Sequence, residues 1–402
     1  MEIPSYLRWL DGEPLKRLHS TKLSLIENGA PLLDMCMINP DLDPPRILLD
    51  RLAEASLKSG AHRYAVSRGV RKLRAAFSKK YRQRFAVSLD PEREVCVTMG
   101  AKDALLHALM CMAEPGDGIL IGAPYYPAYL SVAKILKLNV SLFSLGSNEQ
   151  QMLEDISKRC REGNVSFLLL NFPSNPGGLK VSKSFYEKVL LLSQEYDFFI
   201  INDFVYGEMD FETGFAPSLL AVEGALERCV EIYSLSKAYN VPGWCVGALL
   251  GNQQVVSRLS KLKSHIDYGT FLPIQAAAQV ALNSDFDYAA VGRECYRTRA
   301  AVLGKGLVQL GWQVCMPSAG ASIWAEMPPE LHEYGAEKVT QTLLQSYAVA
   351  ALPGTLFGED FANFVRFSLV LPEEKLRRAL ERISEFQRKL IPDEKGTLQC
   401  AV

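Results

Sequence analysis

The chain has 402 residues, with 44 Lys and Arg against 45 Asp and Glu and a formal net charge of -1. This balance excludes a nucleic acid or an anionic membrane surface as the main partner, because binding a polyanion takes a concentrated basic face. With 48% hydrophobic and 22% charged residues, the composition fits a folded protein of two or three domains and excludes a disordered or fibrous chain.

The nine cysteines, at 36, 96, 111, 160, 229, 245, 295, 315 and 400, form no CxxC pair, and the five histidines show no HExxH spacing. Reduced thiols and no catalytic metal are therefore expected. The opening run MEIPSYLRWLDGEPLKR lacks a basic segment followed by an apolar one, and no stretch of 18 apolar residues occurs. A cytoplasmic protein that does not enter a membrane is the expectation.

In chain order, the first forty residues hold few sheet-like runs and are expected to join a small domain. From residue 94, short apolar runs alternate with amphipathic stretches. The runs cover 94–98 (EVCVT), 118–122 (GILIG), 140–145, 165–172 (VSFLLLNF), 198–203 (FFIIND), 230–236 and 246–251. Helical patterns such as 102–112 and 184–195 separate them, which predicts an α/β, doubly wound, mostly parallel sheet covered on both faces. After 285 the pattern changes to a long amphipathic helix over 291–310, strands at 312–315, 322–326 and 364–370, and a last helix over 373–389. The predicted organisation is a large domain over 46–284, and a smaller α+β domain from 1–45 and 285–402. Residues 392–402 read as a loose polar tail.

In an open α/β sheet, functional groups gather past the carboxyl ends of the strands. PSNPGG follows the run ending at Phe172, Asp203 and Tyr206 follow the next, and SLSKAYNVPGWCVG follows the next after that. A lysine at a strand end, flanked by Ser234 and Ser236 and accompanied by a strand-end carboxylate and phenol, reads as a Schiff-base lysine in a phosphate-bearing cofactor site.

These runs, with NPDLDPP at 39–45, HRYAVSRGVRKLR at 62–74, TMGAKDAL at 98–105, APYYPAY at 123–129 and FVRFSL at 364–369, resemble in order the class I/II aminotransferases of fold type I. The runs SHIDYGTFLPIQAAA and NFPSNP look most like the alanine (glutamate-pyruvate) aminotransferase branch. The resemblance implies a homodimeric enzyme dependent on pyridoxal 5'-phosphate. Such an enzyme moves an amino group from an amino acid to a 2-oxo acid in a ping-pong cycle.

It also implies roles for particular residues. Lys237 matches the lysine that forms the internal aldimine and then shuttles the substrate proton. Asp203 matches the partner of the pyridinium nitrogen, and Asn175 and Tyr206 match the donors to the cofactor's phenolate oxygen. Tyr126 matches the aromatic stacked on the ring, with Tyr125 adjacent as the off-by-one alternative. Gly100, Ala101 and Lys102 match a phosphate-binding helix N-terminus, with Ser234 adding a hydroxyl. Tyr64 matches a tyrosine that reaches the neighbouring subunit's phosphate. Arg366 matches the clamp on the substrate carboxylate, where Asn175 and Ile38 also fall. Trp244 and Arg74 are assigned to packing.

Three positions depart from the family pattern. Cys245 stands where the family has a phosphate-binding arginine, and the loss of one charge-assisted bond costs about 1.5 to 3 kcal/mol unless Lys102 or another cation compensates. Ile38 replaces a usual glycine near the substrate carboxylate, and Gly177 replaces a usual threonine. These departures leave open a lyase, replacement or cyclising reaction on the same cofactor. A regulatory protein on this fold is disfavoured, since the match begins within the first forty residues and leaves no room for a winged helix.

Overall fold

The middle of the chain forms strands because its apolar runs are too short for buried helices and rich in β-branched and aromatic residues. The computed structural model describes Leu7, Trp9 and residues 14–390, so the tail expected at 392–402 lies outside the described residues. The strands are β1 (Leu33–Asp34), β2 (Val95–Thr98), β3 (Gly118–Ala123), β4 (Asn139–Ser144) and β5 (Phe167–Leu170). They continue with β6 (Phe199–Asp203), β7 (Cys229–Ser234), β8 (Gly247–Gly251) and β9 (Gln313–Cys315). The last are β10 (Ser322–Glu326), β11 (Val349–Ala350), β12 (Leu352–Pro353) and β13 (Phe364–Ser368).

The chain divides into two units. The first takes residues 39–297 with 317–320, and the second takes 298–316 and 321–390 with the earlier stretch 14–38. In the first unit seven strands form one sheet in the order β2-β8-β7-β6-β5-β3-β4. Strand β8 runs antiparallel to both β2 and β7, while the other pairings are parallel. Every residue of β2, β5, β7 and β8 is buried, as expected for strands covered on both faces. Edge strand β4 buries only Phe143. Side-chain caps from Asn148, Ser182 and Asn252 start the helices Glu149–Glu162, Lys183–Tyr196 and Gln253–Ile266.

Several expected strands are shorter in the structure, two of them for a local reason. The run at 230–236 leaves the sheet at Ser234, whose hydroxyl accepts from Ser236 N at 3.2 Å and opens the one-turn helix Leu235–Ala238. The run at 165–172 stops at Leu170 because the Asn171 side chain takes up two backbone groups beyond the strand.

The second unit carries an antiparallel sheet in the order β12-β13-β10-β9 and a short parallel pair, β1 with β11. Its core packs Trp324, stacked on Phe364 at 5.2 Å, with Cys36, Leu344, Leu352 and Phe357. The helix Glu373–Leu390 buries Leu376, Ala379, Ile383 and Phe386, a spacing that forms one apolar stripe.

Candidate active site

The sheet register brings most of the sequence-predicted residues to one edge of the first unit. Gly247, the first residue of β8, lies opposite both Thr98 at the end of β2 and Ser234 at the end of β7. Asp203 ends β6 opposite Ile232, and Leu170 ends β5 opposite Asn202. The loops that leave this edge carry Gly100 to Lys102, Ser234 to Lys237, Asp203 to Tyr206, and Asn171 to Asn175.

Asp203 is buried and its carboxylate receives few bonds. Tyr129 Oη donates to Oδ2 at 2.6 Å, and Val205 N donates to Oδ1 at 3.3 Å. Burial pushes its pKa from 3.8 up to about 6, against the pull of these two donors. A carboxylate held this way gains strongly from a cation, because an ion partner offsets the desolvation that disfavours its charged form. Asn171 Nδ2 donates to the Asp203 carbonyl at 2.8 Å, while Asn171 Oδ1 accepts from Asn175 N at 2.8 Å. One side chain thus ties the Asp203 strand end to the PSNPGG turn.

The sequence reading missed both Tyr129 and Asn171. Tyr129 was signalled by its place three residues after Tyr126 in APYYPAY, and it is the second residue of the helix Ala128–Ile135. Asn171 was signalled as the polar residue that ends an apolar strand run. Of the adjacent tyrosines, Tyr125 is buried in the main core, while Tyr126 is half-buried with its ring centroid 5.6 Å from that of Tyr129. Tyr126 and Tyr206 both lie near enough to raise the Tyr129 phenol electrostatically, behind burial and Asp203 as the larger causes. Tyr206 is buried, with Gly320 against its ring.

At the other end of the edge, the helix Ala101–Met110 starts from Gly100 without a side-chain cap, unlike the three capped helices above. Its first-turn N–H groups have no intrahelical carbonyl to bond, which makes them donors for an anion. Gly100 sits at φ +81°, a conformation costly for any residue with a Cβ. Gly247 is fixed by close approach, since a Cβ there would fall 2.6 Å from the Tyr233 carbonyl oxygen. Cys245 is exposed at φ +50°, with its Cα 3.8 Å from where a Gly100 Cβ would stand. Lys102 is exposed, and its Nζ lies 5.8 Å from the Tyr126 ring centroid.

Behind this helix, the fully buried Lys263 ammonium pairs with Asp103 at 3.1 Å and Asp267 at 2.7 Å. Burial lowers its proton affinity, but the two carboxylates outweigh burial and leave the pKa raised. His107 Nδ1 lies 2.8 Å from Asp103. Asp103, His107 and Asp267 group closely enough to hold a cation, and the lysine already supplies one.

Lys237 is half-buried in the one-turn helix Leu235–Ala238, directly after Ser234. Two predicted residues belong to the second unit. Arg366 is buried on β13, its guanidinium donates to the Cys36 carbonyl and lies 5.0 Å from the Phe357 ring centroid, and Ile38 is buried two residues beyond Cys36. Tyr64 is 82% exposed and stacks on Tyr268 at 4.3 Å. A Cβ on Gly177 would make only ordinary contact, 3.6 Å from Ser174 Oγ. Arg74 is buried and bonds the Pro91 carbonyl and Glu92, in keeping with a packing role. Among the described residues no disulfide forms, and no helix is long and apolar enough to cross a membrane.

A buried carboxylate short of donors, an uncapped helix N-terminus, a strand-end hydroxyl and a strand-end lysine together fit an aromatic cofactor with a ring cation, a phosphate and an aldehyde. Comparison with known proteins agrees. Residues 30–383 match the family model described as aminotransferase class I and II. The glutamate-pyruvate aminotransferase of Escherichia coli (strain K12) is 34% identical over 91% of this chain and 89% of its own length. The LL-diaminopimelate aminotransferase of Syntrophobacter fumaroxidans is 32% identical over 95% and 96%. The solved structure of a probable N-succinyldiaminopimelate aminotransferase from Thermus thermophilus superposes with a TM-score of 0.84 at 29% identity, over 92% of this chain and 99% of that one.

Proposed function

The chain belongs to the class I and II aminotransferases, pyridoxal 5'-phosphate enzymes that move an amino group from an amino acid to a 2-oxo acid, and on that premise we propose the role of each site residue. The relatives are named as aminotransferases, which does not favour the lyase, replacement or cyclising alternative. When bound, the cofactor supplies a conjugated electron sink for the pair left behind when the substrate Cα proton departs.

Lys237 holds the cofactor covalently and then takes and returns the Cα proton at its Nζ. Asp203 pairs with the ring nitrogen, and Tyr129 and Val205 N hold its carboxylate in place. Tyr206 and Asn175 donate to the phenolate oxygen, and the Tyr126 ring stacks on the cofactor. The N–H groups of Ala101 and Lys102, with the Ser234 hydroxyl, bind the phosphate. Arg366 clamps the substrate α-carboxylate through two parallel bonds, and Ile38 narrows the pocket beside it. The observation that carries this reading is Asp203, a buried carboxylate at a strand end with only two donors of its own.

The active unit is a homodimer in the cytoplasm, in which Tyr64 reaches the phosphate of the neighbouring subunit. Support comes from an exposed aromatic patch, with Tyr64 stacked on Tyr268, and Phe271 5.6 Å from the His62 ring. Solvent-facing aromatics grouped in this way are characteristic of buried protein interfaces. The near-neutral charge and the scattered thiols fit the compartment.

The test is the absorption spectrum of the purified protein with added pyridoxal phosphate. The wild type is expected to develop the visible band of the lysine-bound cofactor, and Lys237→Ala to show only free cofactor and no amino transfer. A band and activity that survive in Lys237→Ala would overturn the assignment.

A further inference from the structure

A buried ion pair lies beneath the loops of the site. Lys80, on the helix Arg71–Phe85, and Glu208, two residues beyond Tyr206, meet at 2.6 Å with side chains 4% exposed each. Lys80 Nζ also donates to Tyr239 Oη at 3.0 Å, and Tyr233 Oη donates to Glu208 Oε1. The four groups thus form one chain, Tyr239–Lys80–Glu208–Tyr233. Further out, Arg293 donates to the Glu208 carbonyl at 3.1 Å and pairs with Asp287, and Arg84 acts on Tyr239 and Asp287. Both phenols are held well above their usual pKa, by burial first and by the Glu208 charge second, so they remain donors.

Two arguments set this chain of groups apart from ordinary packing. A buried ion pair is a poor source of stability, because desolvating both charges cancels much of their attraction, and its best-attested use is to specify one arrangement. The arrangement at stake is visible in the chain. Leu235–Ala238 is a single helical turn, far too short to hold its own place. Tyr233 lies two residues before this segment and Tyr239 immediately follows it, and both hydroxyls end on the ion pair. Glu208 belongs to the loop that carries Tyr206 after β6 has ended. Beyond the last strand hydrogen bonds, the link from Tyr239 through Lys80 to Glu208 joins the two loops.

We propose that the Lys80–Glu208 ion pair is a positioning element of the active site. Through Tyr239 and Tyr233 it fixes the segment that carries Lys237 against the loop that carries Tyr206, and so holds Lys237 Nζ where it takes and returns the substrate proton. This rests on the assignment of Lys237 given above. Neither Lys80 nor Glu208 touches the reacting atoms; both act through the tyrosines.

The experiment uses the enzyme reconstituted with pyridoxal phosphate, with the pH titration of its visible band and the single-turnover rate of amino transfer as readouts. Tyr239→Phe removes the hydroxyl that links Lys80 to the Lys237 segment. It is expected to shift the band's titration midpoint by about half a pH unit, and to slow transfer about tenfold with KM within about twofold. Lys80→Met is expected to shift both readouts further in the same direction. Tyr81→Phe is the comparison, because Tyr81 Oη donates at 2.8 Å to a different buried carboxylate, Glu231. It is expected to lower thermal stability while leaving band and rate at wild-type values.

If Lys80→Met does not fold, Tyr239→Phe decides alone. A Tyr239→Phe enzyme that melts lower but titrates and turns over like wild type, as Tyr81→Phe does, would overturn the proposal. A band that persists in Lys237→Ala would instead overturn the assignment on which the proposal stands.

Discussion

Two buried carboxylates on neighbouring strands, Asp203 on β6 and Glu231 on β7, show how the sheet separates function from structure. Burial pushes both pKa values up. Glu231 accepts from four donors, Tyr81 Oη at 2.8 Å, Ser218 Oγ at 2.7 Å, Asn202 Nδ2 at 2.9 Å and Leu219 N at 3.0 Å. Asp203 has two. The well-supplied carboxylate sits mid-strand and holds the layers together, while the under-supplied one stands at the strand end, where a cofactor's cation would complete it. The number of donors, more than burial, distinguishes the two roles.

The largest effect that breaks this comparison is a pair of isosteric substitutions. Asp203→Asn should lower kcat on the order of a thousandfold and leave the melting temperature of the cofactor-free protein nearly unchanged at pH 4, where the folded wild-type carboxyl is itself neutral. Glu231→Gln should do the reverse. Turning the amide NH2, itself a donor, toward groups that donate costs about 1 to 3 kcal/mol, read by denaturant unfolding, with kcat of the loaded enzyme within a few-fold of wild type. Equal losses of activity from both substitutions would erase the distinction.

The pH dependence of the cofactor-free protein sharpens it. Asp203 has a folded pKa of about 6 against 3.8 for the unfolded chain, so between these values the folded state binds more protons than the unfolded one. The contribution is therefore present in full below pH 4 and is lost as pH rises through 6, by about 3 kcal/mol at most. Unfolding free energies of wild type and Asp203→Asn should diverge across pH 4 to 6, with wild type losing stability. Pyridoxal phosphate should abolish the divergence, because its ring cation restores the charged carboxylate.

A smaller effect is expected at the phosphate end we propose, which Cys245 borders without supplying a charge. Cys245 already occupies the left-handed region, so an arginine there adds no new backbone strain. Cys245→Arg should tighten pyridoxal phosphate binding by about ten- to a hundredfold in equilibrium titration, the worth of one charge-assisted bond. Unchanged affinity would mean that Lys102 already supplies the charge.

Much of this was legible in the sequence. Runs such as VSFLLLNF and FFIIND announce strands buried on both faces, and the polar residues just past them mark the functional edge. What escaped depended on contacts between distant positions. The antiparallel course of β8 leaves no trace, because GALLG is buried on both faces and shows no alternation to read. Tyr129 gains its role only because the start of the helix Ala128–Ile135 brings it to Asp203, 74 positions away. Lys80 reads as one cation of the basic run SKKYRQR, and only the fold places it against Glu208. Ser234 shows the opposite case, in which one polar residue at the strand end both stops the strand and opens the turn that carries Lys237.

The central claim is that Lys237 holds the cofactor covalently. The most direct test is borohydride reduction of the protein loaded with pyridoxal phosphate, followed by mass mapping of its peptides. The predicted result is a single reduced adduct on the peptide that contains Lys237. An adduct on Lys102 or another lysine in its place, or no adduct at all, would contradict the account.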